Sequence, residues 1–318
     1  MGSGMTPHGS HRLARGRTTP AAADAWSRMR PDDVHVWALR LDLGPTARER
    51  LEAFLSADEL SRAARFVRST DRSRYVCAHG LLRLVLSKYL NVQPEEVAFE
   101  TGAGGKPRLA GPGPRFNLAH AEDVGVVAVT AYREVGIDVE RIRDVGDVGR
   151  LAESCFSPAE QAALGAVAAP FRLRSFFAGW TRKEAFLKAL GTGLMRPLDS
   201  FDVTLTPGEP ARLLRVQGAP KAATTYALRA LRPAPGYAGA VAADGAGIVI
   251  HWRPWDIAAA LVKEARGAGR VAPRAWGQPA DRLPCPRAGG HERARRVRSA
   301  LRIAHCADGR ESHDFVCV

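Results

Sequence analysis

Two stretches about a hundred residues apart carry the same helix-start signal, and this repeat constrains the fold more than any other feature. A capping box is a Ser that caps a helix, followed three residues later by a Glu that reaches back. Ser56–Glu59 has this pattern, and Ser157–Glu160 repeats it with Pro158 at the favoured first helical position. Apolar periodicity predicts a long helix after each copy, at 71–90 and at 170–190. The chain is therefore predicted to contain two similar α+β halves.

Segments of alternating or continuous apolar residues predict the strands around these helices. They lie at 34–43, 97–100, 124–130 and 135–140, and then at 200–205, 212–217, 224–231, 237–243 and 247–251. The resulting division is a basic leader at 1–30, subdomains at 31–135 and 136–255, and an Arg/Pro/Gly-rich tail at 256–318. Both ends are predicted to be disordered because they hold few large apolar residues. A cleft between the two halves is the expected place for a ligand.

The net charge of +13 is concentrated at the two ends of the 318-residue chain. Residues 1–30 contribute +4 and residues 256–318 contribute +5, which leaves +4 for everything between them. A nucleic-acid-binding protein that uses these basic ends is one alternative. The middle of the chain carries no recognisable nucleic-acid motif, so we expect no nucleic-acid partner.

Cysteine usage and hydropathy indicate a cytoplasmic protein. The five cysteines are scattered and contain no C-x-x-C pair, which argues against a zinc site or a disulfide framework and fits a reducing compartment. No apolar run approaches the roughly 20 residues that span a bilayer. The first residues also lack the apolar segment of a signal peptide. We therefore expect no membrane partner.

Three carboxylates and a lysine form the most informative chemical pattern. Acidic and apolar residues alternate so that a strand would present Asp138 and Glu140 on one face. Trp180, Glu184 and Lys188 are spaced i, i+4, i+8 and form one stripe of the second long helix. That helix is otherwise largely apolar, and a buried Glu or Lys needs a partner. Such a set suits Mg²⁺ and a phosphate-bearing substrate. Taken alone, Asp138 and Glu140 could form the solvent face of the strand, and Glu184 could form a helix-stabilising pair with Lys188.

Other polar residues are weaker candidates. Gly105, Lys106 and Pro107 could let the backbone approach a flat ligand while the lysine meets a phosphate, or they could form a plain turn. Arg74 lies near the start of the first long helix, where an anion would be favoured, but it could also belong to a solvated basic face. His120 alone does not decide between a structural and a functional role.

Taken in order, these residues resemble the 4′-phosphopantetheinyl transferases of the surfactin-synthetase type. The matching motifs are Gly105–Pro107, Phe116–His120, Gly136–Glu140, Phe156–Glu160 and Trp180–Lys188. The resemblance extends from about Val34 to about Trp255. It implies an α+β fold of two similar subdomains related by pseudo-twofold symmetry. It also implies a monomeric enzyme that moves the phosphopantetheine arm of coenzyme A to a serine of an apo acyl or peptidyl carrier protein, with Mg²⁺, and releases 3′,5′-ADP.

The resemblance also implies a role for each matching residue. Metal binding is expected from Asp138, Glu140 and Glu184; catalysis from Glu184 as the candidate base and from Lys188 at the pyrophosphate; and coenzyme A binding from Arg62, Arg74, Gly105, Lys106, Pro107, His120, Lys183 and Lys188. The family usually has Ser before the His, and this chain has Ala119. If that hydroxyl binds phosphate, affinity should be lower here. A catalytically inactive relative that binds coenzyme A or a carrier protein is the alternative, and the complete carboxylate set argues against it.

Overall fold

The computed structural model describes residues 25–191 and 196–253. The first half consists of β1 (Asp33–Arg40), α1 (Pro45–Glu52), α2 (Ala57–Ala63), α3 (Ser69–Leu90), β2 (Phe99–Thr101), β3 (Pro107–Leu109), β4 (Arg115–Ala121) and β5 (Val124–Thr130). The second half consists of β6 (Val135–Arg141), α4 (Val148–Cys155), α5 (Pro158–Ala166), α6 (Ala169–Leu190), β7 (Phe201–Val203), β8 (Leu213–Val216), α7 (Ala222–Thr225), β9 (Tyr226–Leu231), β10 (Tyr237–Asp244) and β11 (Val249–Arg253).

The two halves repeat one topology. The larger sheets have the strand orders β11-β1-β5-β4 and β6-β10-β9, and each half adds a small pair, β2-β3 or β7-β8. In the first half β1 pairs with β5, which pairs with β4; in the second half β6 pairs with β10, which pairs with β9. Apart from β11, the two halves therefore have the same strand order. The long helices α3 and α6 both have 22 residues and end at left-handed residues, Asn91 and Gly191. The predicted α+β fold of two similar subdomains is confirmed.

A buried ion pair locks the capping box of the first half to its long helix. Ser56 and Glu59 form the predicted reciprocal cap at the start of α2. Arg83 of α3 lies 2.7 Å from the same Glu59 carboxylate. Its guanidinium also donates to the carbonyls of Pro94 and Val97, at 3.4 and 2.7 Å. One cation thus joins α2, α3 and the segment that follows α3.

The second half contains the same ion pair between the capping box and the long helix, with a lysine in place of the arginine. Ser157 and Glu160 cap α5, and Lys183 Nζ of α6 lies 2.7 Å from Glu160. Lys183 also donates to the carbonyls of Leu198 and Phe201, at 2.7 and 2.6 Å. The repeat detected from the helix starts is therefore carried into the tertiary contacts of each half.

The described residues form three large apolar cores and one small cluster around Leu55 and Tyr75. One lies between α3 and its sheet, and a second lies between α6 and its sheet. The third joins the halves, because Val36 and Val126 of the first sheet pack with Ile137 and Val241 of the second. The site that the sequence predicts lies beside this central core.

Strand β11 crosses from the second half to the first. It pairs in parallel with β1, with Val249 opposite Asp33 and Arg253 opposite Trp37. The sequence division assigned all of 136–255 to the second subdomain, and the sheet order corrects this for β11. The crossing strand covers an edge of the first sheet and ties the two halves together.

Two other local predictions differ from the structure. Residues 25–30 were expected in a disordered leader, but Ala25–Arg28 is a 3₁₀ helix and Met29 packs into the first core. Residues 116–120 were not predicted as a strand because Asn117 and His120 interrupt the apolar pattern, yet they form most of β4. The remaining predictions for the leader and for the 256–318 tail lie outside the described residues.

Within the described ranges, no helix has both the length and the apolar character needed to cross a membrane.

Candidate active site

The site begins where strand β6 meets helix α6 with almost no space between the two backbones. A Cβ atom on Gly136 would lie 2.1 Å from the Ala185 carbonyl oxygen and 2.2 Å from the Ala189 nitrogen. Only glycine permits this approach, and the small residues at 185 and 189 complete the seam. The close packing places the polar stripe of α6 directly against the acidic side chains of β6.

Three hydrogen bonds, donated by two side chains, connect that stripe to β6. Lys188 Nζ donates to Asp138 Oδ1 at 2.8 Å and to the Ile137 carbonyl at 3.3 Å. Two helical turns away, the indole N–H of Trp180 donates to Glu140 Oε1 at 3.3 Å. Lys188 and Trp180 of α6 therefore each hold one carboxylate of β6, Lys188 through an ammonium group and Trp180 through an indole N–H.

The three carboxylates lie close enough to affect one another. Burial raises the pKa of Glu140 to about 8, and the negative charges of Asp138 and Glu184 add to that rise. The Arg143 guanidinium and the Trp180 hydrogen bond act in the opposite direction on this pKa. The sequence predicts Asp138, Glu140 and Glu184 at one site; in the structure Asp138 and Glu140 lie on β6, and the charge of Glu184 on α6 acts on Glu140.

The chemistry of these donors suits a hard divalent cation, since all are carboxylate oxygens. A cation would also offset the repulsion among Asp138, Glu140 and Glu184, which adds to the effect of burial on the pKa of Glu140. Among residues 25–191 and 196–253, however, no group of three or more His, Cys, Asp or Glu side chains is already arranged to hold a metal ion. The residues fit Mg²⁺ by donor type, and binding would require them to draw closer together.

A basic region borders the carboxylates. His120 lies on β4, and its pKa is lowered to about 4 by burial and by the positive charges of His79, Lys188 and Arg74. Arg74 is held by Asp123, with Nε 2.9 Å from Oδ1. An incoming phosphate would compete with Asp123 for this guanidinium. The predicted residues Arg74, His120 and Lys188 thus share one side of the site.

Sequence reasoning missed two side chains in this basic region. The ring of His79 stacks on Tyr75 with centroids 4.0 Å apart, and its Nδ1 lies 3.4 Å from Glu59 Oε1. Burial raises the pKa of Tyr75 to about 12, and the nearby Arg62 opposes that rise. Arg62 therefore lies beside the Tyr75 phenol. The sequence could have indicated that Tyr75 and His79 share a face, because they are four residues apart on the helix that carries Arg74.

The Gly-Lys-Pro segment lies at the other end of β6. Lys106 Nζ donates to Glu134 Oε2 at 2.8 Å and to the Val135 carbonyl at 2.9 Å. Lys106 and Pro107 line a cavity of about 190 Å³, together with Phe116 of β4 and residues at the end of α6. Gly105 is not among the lining residues and supplies the left-handed turn, with φ of 84°, that leads into them.

Lys183 does not belong to the site, which corrects the expectation that it contacts coenzyme A. Its side chain is 0% exposed. An ammonium group has three N–H donors, and here they meet Glu160 and the carbonyls of Leu198 and Phe201. Lys183 therefore serves the buried ion pair of the second half.

Comparison with known proteins accords with this geometry. A family model described as the 4′-phosphopantetheinyl transferase superfamily matches residues 134–242, and a second, described as the N-terminal part of a 4′-phosphopantetheinyl transferase, matches residues 45–132. The 4′-phosphopantetheinyl transferase HetI of Nostoc sp. is 37% identical over 227 residues, which cover 70% of this chain and 91% of that protein. The chain belongs to the 4′-phosphopantetheinyl transferase superfamily.

Other relatives of this transferase support the same family. A phosphopantetheinyl transferase of Thraustochytrium sp. is 33% identical across 74% of this chain and 89% of its own length. The surfactin-type resemblance is more distant: the transferase Sfp of Bacillus subtilis is 30% identical across 54% of this chain and 77% of its own length. An apo-ACPS structure from Chronobacterium ammoiniagenes aligns over 35% of this chain at 19% identity and a TM-score of 0.26, a likeness too weak to support an argument.

Proposed function

We propose that this transferase moves the 4′-phosphopantetheine arm of coenzyme A to a serine of an apo acyl or peptidyl carrier protein, releases 3′,5′-ADP and requires Mg²⁺. One observation supports the proposal: Lys188 and Trp180 of α6 hold Asp138 and Glu140 of β6 beside a basic region, and Glu184 lies between them on the same stripe of α6. Such transfers depend mainly on positioning and on neutralising phosphate charge. We expect the enzyme to act as a cytoplasmic monomer without nucleic-acid or membrane partners.

The acidic residues and Lys188 would hold the reacting pyrophosphate. Asp138, Glu140 and Glu184 would bind Mg²⁺, which supplies charge neutralisation for the leaving phosphate. Lys188 would exchange part of its contact with Asp138, now 2.8 Å, for a phosphate oxygen. Glu184 would accept the proton of the carrier serine, directly or through a water molecule.

The basic region would hold the 3′-phosphate of coenzyme A. Because its pKa is lowered to about 4, His120 would be neutral near pH 7 and would donate a hydrogen bond from one ring nitrogen. Arg74 would supply the positive charge, with Arg62 nearby. Lys106 and Pro107, at the cavity beside β6, would line the adenine side together with the Gly105 turn.

Replacing Glu184 tests the proposed base. Glu184→Gln keeps the shape and removes the basic oxygen, so turnover should fall by about 10²- to 10⁴-fold, while coenzyme A affinity falls less. The measurement is the mass gain of an apo carrier protein incubated with enzyme, coenzyme A and Mg²⁺. Glu95→Gln, the same change at an exposed position in the first half, is the control. Wild-type turnover by Glu184→Gln would remove Glu184 from this role, and no mass gain by the wild type would favour the binding-module alternative.

Removing the metal tests the second part of the proposal. EDTA should abolish phosphopantetheine transfer, and added Mg²⁺ should restore it, since the three carboxylates alone repel the pyrophosphate. The restored rate is measured against Mg²⁺ concentration. Full activity in EDTA would show that the carboxylates act without a cation.

A further inference from the structure

Trp180 is the one member of the α6 stripe that the proposed function leaves without a role. Its indole N–H meets Glu140 Oε1 at 3.3 Å, as Lys188 meets Asp138 Oδ1 at 2.8 Å. Each carboxylate of β6 is thus held through one oxygen by one donor of α6. Trp180 and Lys188 share one face of α6, and the two acids share one face of β6, so both pairs lie along the same contact between the helix and the strand.

The surroundings of Trp180 leave the indole little freedom to move. The residue is 1% exposed and belongs to the core between α6 and its sheet. The preceding Gly179 packs so tightly that a Cβ there would lie 2.8 Å from Phe156 Cζ. Close packing around a buried indole leaves it few orientations, and its N–H points to Glu140.

An indole is suited to holding a carboxylate that must also bind a cation. It donates one hydrogen bond, accepts none and carries no charge. A lysine at 180 would neutralise Glu140 and repel a metal ion, whereas the indole orients the carboxylate and leaves its charge available. The Arg143 guanidinium lies 4.0 Å from Glu140 Oε2, on the oxygen that the indole does not hold.

We propose that Trp180 is a positioning residue, whose indole N–H holds Glu140 by Oε1 and so sets the direction in which this carboxylate meets the cation. The inference rests on the proposed function, since the cation is part of it. Outer partners of metal ligands typically change metal affinity about 10- to 100-fold when they are replaced. A Trp180 that only fills the core would affect stability and leave metal affinity unchanged.

The test is Trp180→Phe, which retains most of the apolar ring and removes the N–H. Trp37→Phe is the matched control, because the Trp37 indole also donates to an oxygen, Tyr89 Oη at 3.0 Å, in the first half. Mn²⁺ binding to each protein is measured by electron paramagnetic resonance with coenzyme A present, alongside thermal melts and the KM for coenzyme A. We expect Trp180→Phe to weaken Mn²⁺ binding by about 10- to 100-fold with a smaller change in that KM, and Trp37→Phe to leave Mn²⁺ binding within about twofold.

Wild-type Mn²⁺ affinity in a folded Trp180→Phe, or an equal loss in Trp37→Phe, would overturn the inference. If Trp180→Phe does not fold, ¹⁵N-indole spectra of the wild type decide: Mn²⁺ with coenzyme A should broaden one indole signal other than that of Trp37, and no broadening would overturn the inference. Failure of the proposed function gives a different result, since the wild type would then neither bind Mn²⁺ nor modify a carrier protein.

Discussion

At the scale of single residues, Gly136 decides whether the site can form. It sits in the conspicuous acidic segment, but its own contribution is the absence of a side chain. Backbone atoms of Ala185 and Ala189 occupy the space that its Cβ would need, at 2.1 and 2.2 Å. Backbone atoms cannot rotate away as a flexible side chain can, so a substitution must separate β6 from α6.

Gly136→Ala should therefore lower the free energy of unfolding by at least the roughly 1–3 kcal/mol typical of overpacking. It should also reduce transfer activity in the fraction that remains folded, because Asp138 moves away from Lys188. Urea unfolding and the carrier-protein assay measure these two effects. Gly165→Ala in α5, where an added Cβ has no atom within 4 Å, should be neutral or stabilising by up to about 1 kcal/mol. Equal stability of the two variants would contradict the argument.

At the scale of elements, β11 is attached to the first half by a cluster of polar side chains. Arg253 lies 2.7 Å from His35 Nε2, and His35 Nδ1 lies 2.8 Å from Tyr89 Oη. His251 Nε2 lies 2.7 Å from Asp33 Oδ1. Because a guanidinium only donates, Nε2 of His35 must accept and Nδ1 must carry the proton. The attachment therefore needs a neutral His35.

The pKa of His35 has a direct consequence for this attachment. Burial lowers it from 6.5 to about 4, with further lowering by Arg253 and His251 and an opposing effect of Asp33. A depressed pKa in the folded state means that the unfolded segment binds the proton more readily. The stabilisation is complete above pH 6.5 and is lost as the pH falls toward 4.

Hydrogen exchange of the β11 amides tests this pH dependence. After correction for intrinsic exchange rates, protection should fall about 10- to 30-fold between about pH 7 and about pH 5. His35→Gln keeps an acceptor for Arg253 but cannot take a proton, so its protection should vary much less with pH. His251→Gln leaves His35 in place and should retain most of the wild-type pH dependence, because burial is the largest cause of the lowered pKa of His35. Equal pH dependence in wild type and His35→Gln would exclude His35 as the cause.

At the scale of the whole molecule, the halves share a core, so neither is an independent domain. Val36 and Val126 from one sheet and Ile137 and Val241 from the other are all buried in it. Separating the halves would expose this apolar surface, and it would also break the β1–β11 pairing. The proposed site lies at the same junction, so the packing that joins the halves also positions the residues that we propose for catalysis.

We therefore expect the two halves to unfold together. The amides of α3 and α6 should lose protection from hydrogen exchange at the same urea concentration, within experimental error, although they belong to different halves. Mass spectrometry of peptides from the two helices after brief labelling measures this. Loss of protection in one helix at a clearly lower urea concentration would show that the halves are separable.

Much of the site could be predicted because its signals are local. The alternation at 135–140 and the stripe at Trp180, Glu184 and Lys188 each lie within one element, where periodicity determines which side chains share a face. Lys183 shows the limit of such reasoning. It lies next to Glu184 within a recognised motif, but only the fold reveals that Glu160 and two carbonyls occupy its ammonium group.

The sequence by itself determined the repeated α+β organisation, the long helices and the set of acidic residues, because capping, apolar periodicity and residue spacing act over short stretches of chain. Only the tertiary structure decided that β11 crosses to the first sheet, that His79 and Tyr75 border the site, and that Trp180 meets Glu140. These contacts join residues of different elements. Their geometry depends on how closely the backbones pack, and no local pattern encodes that distance.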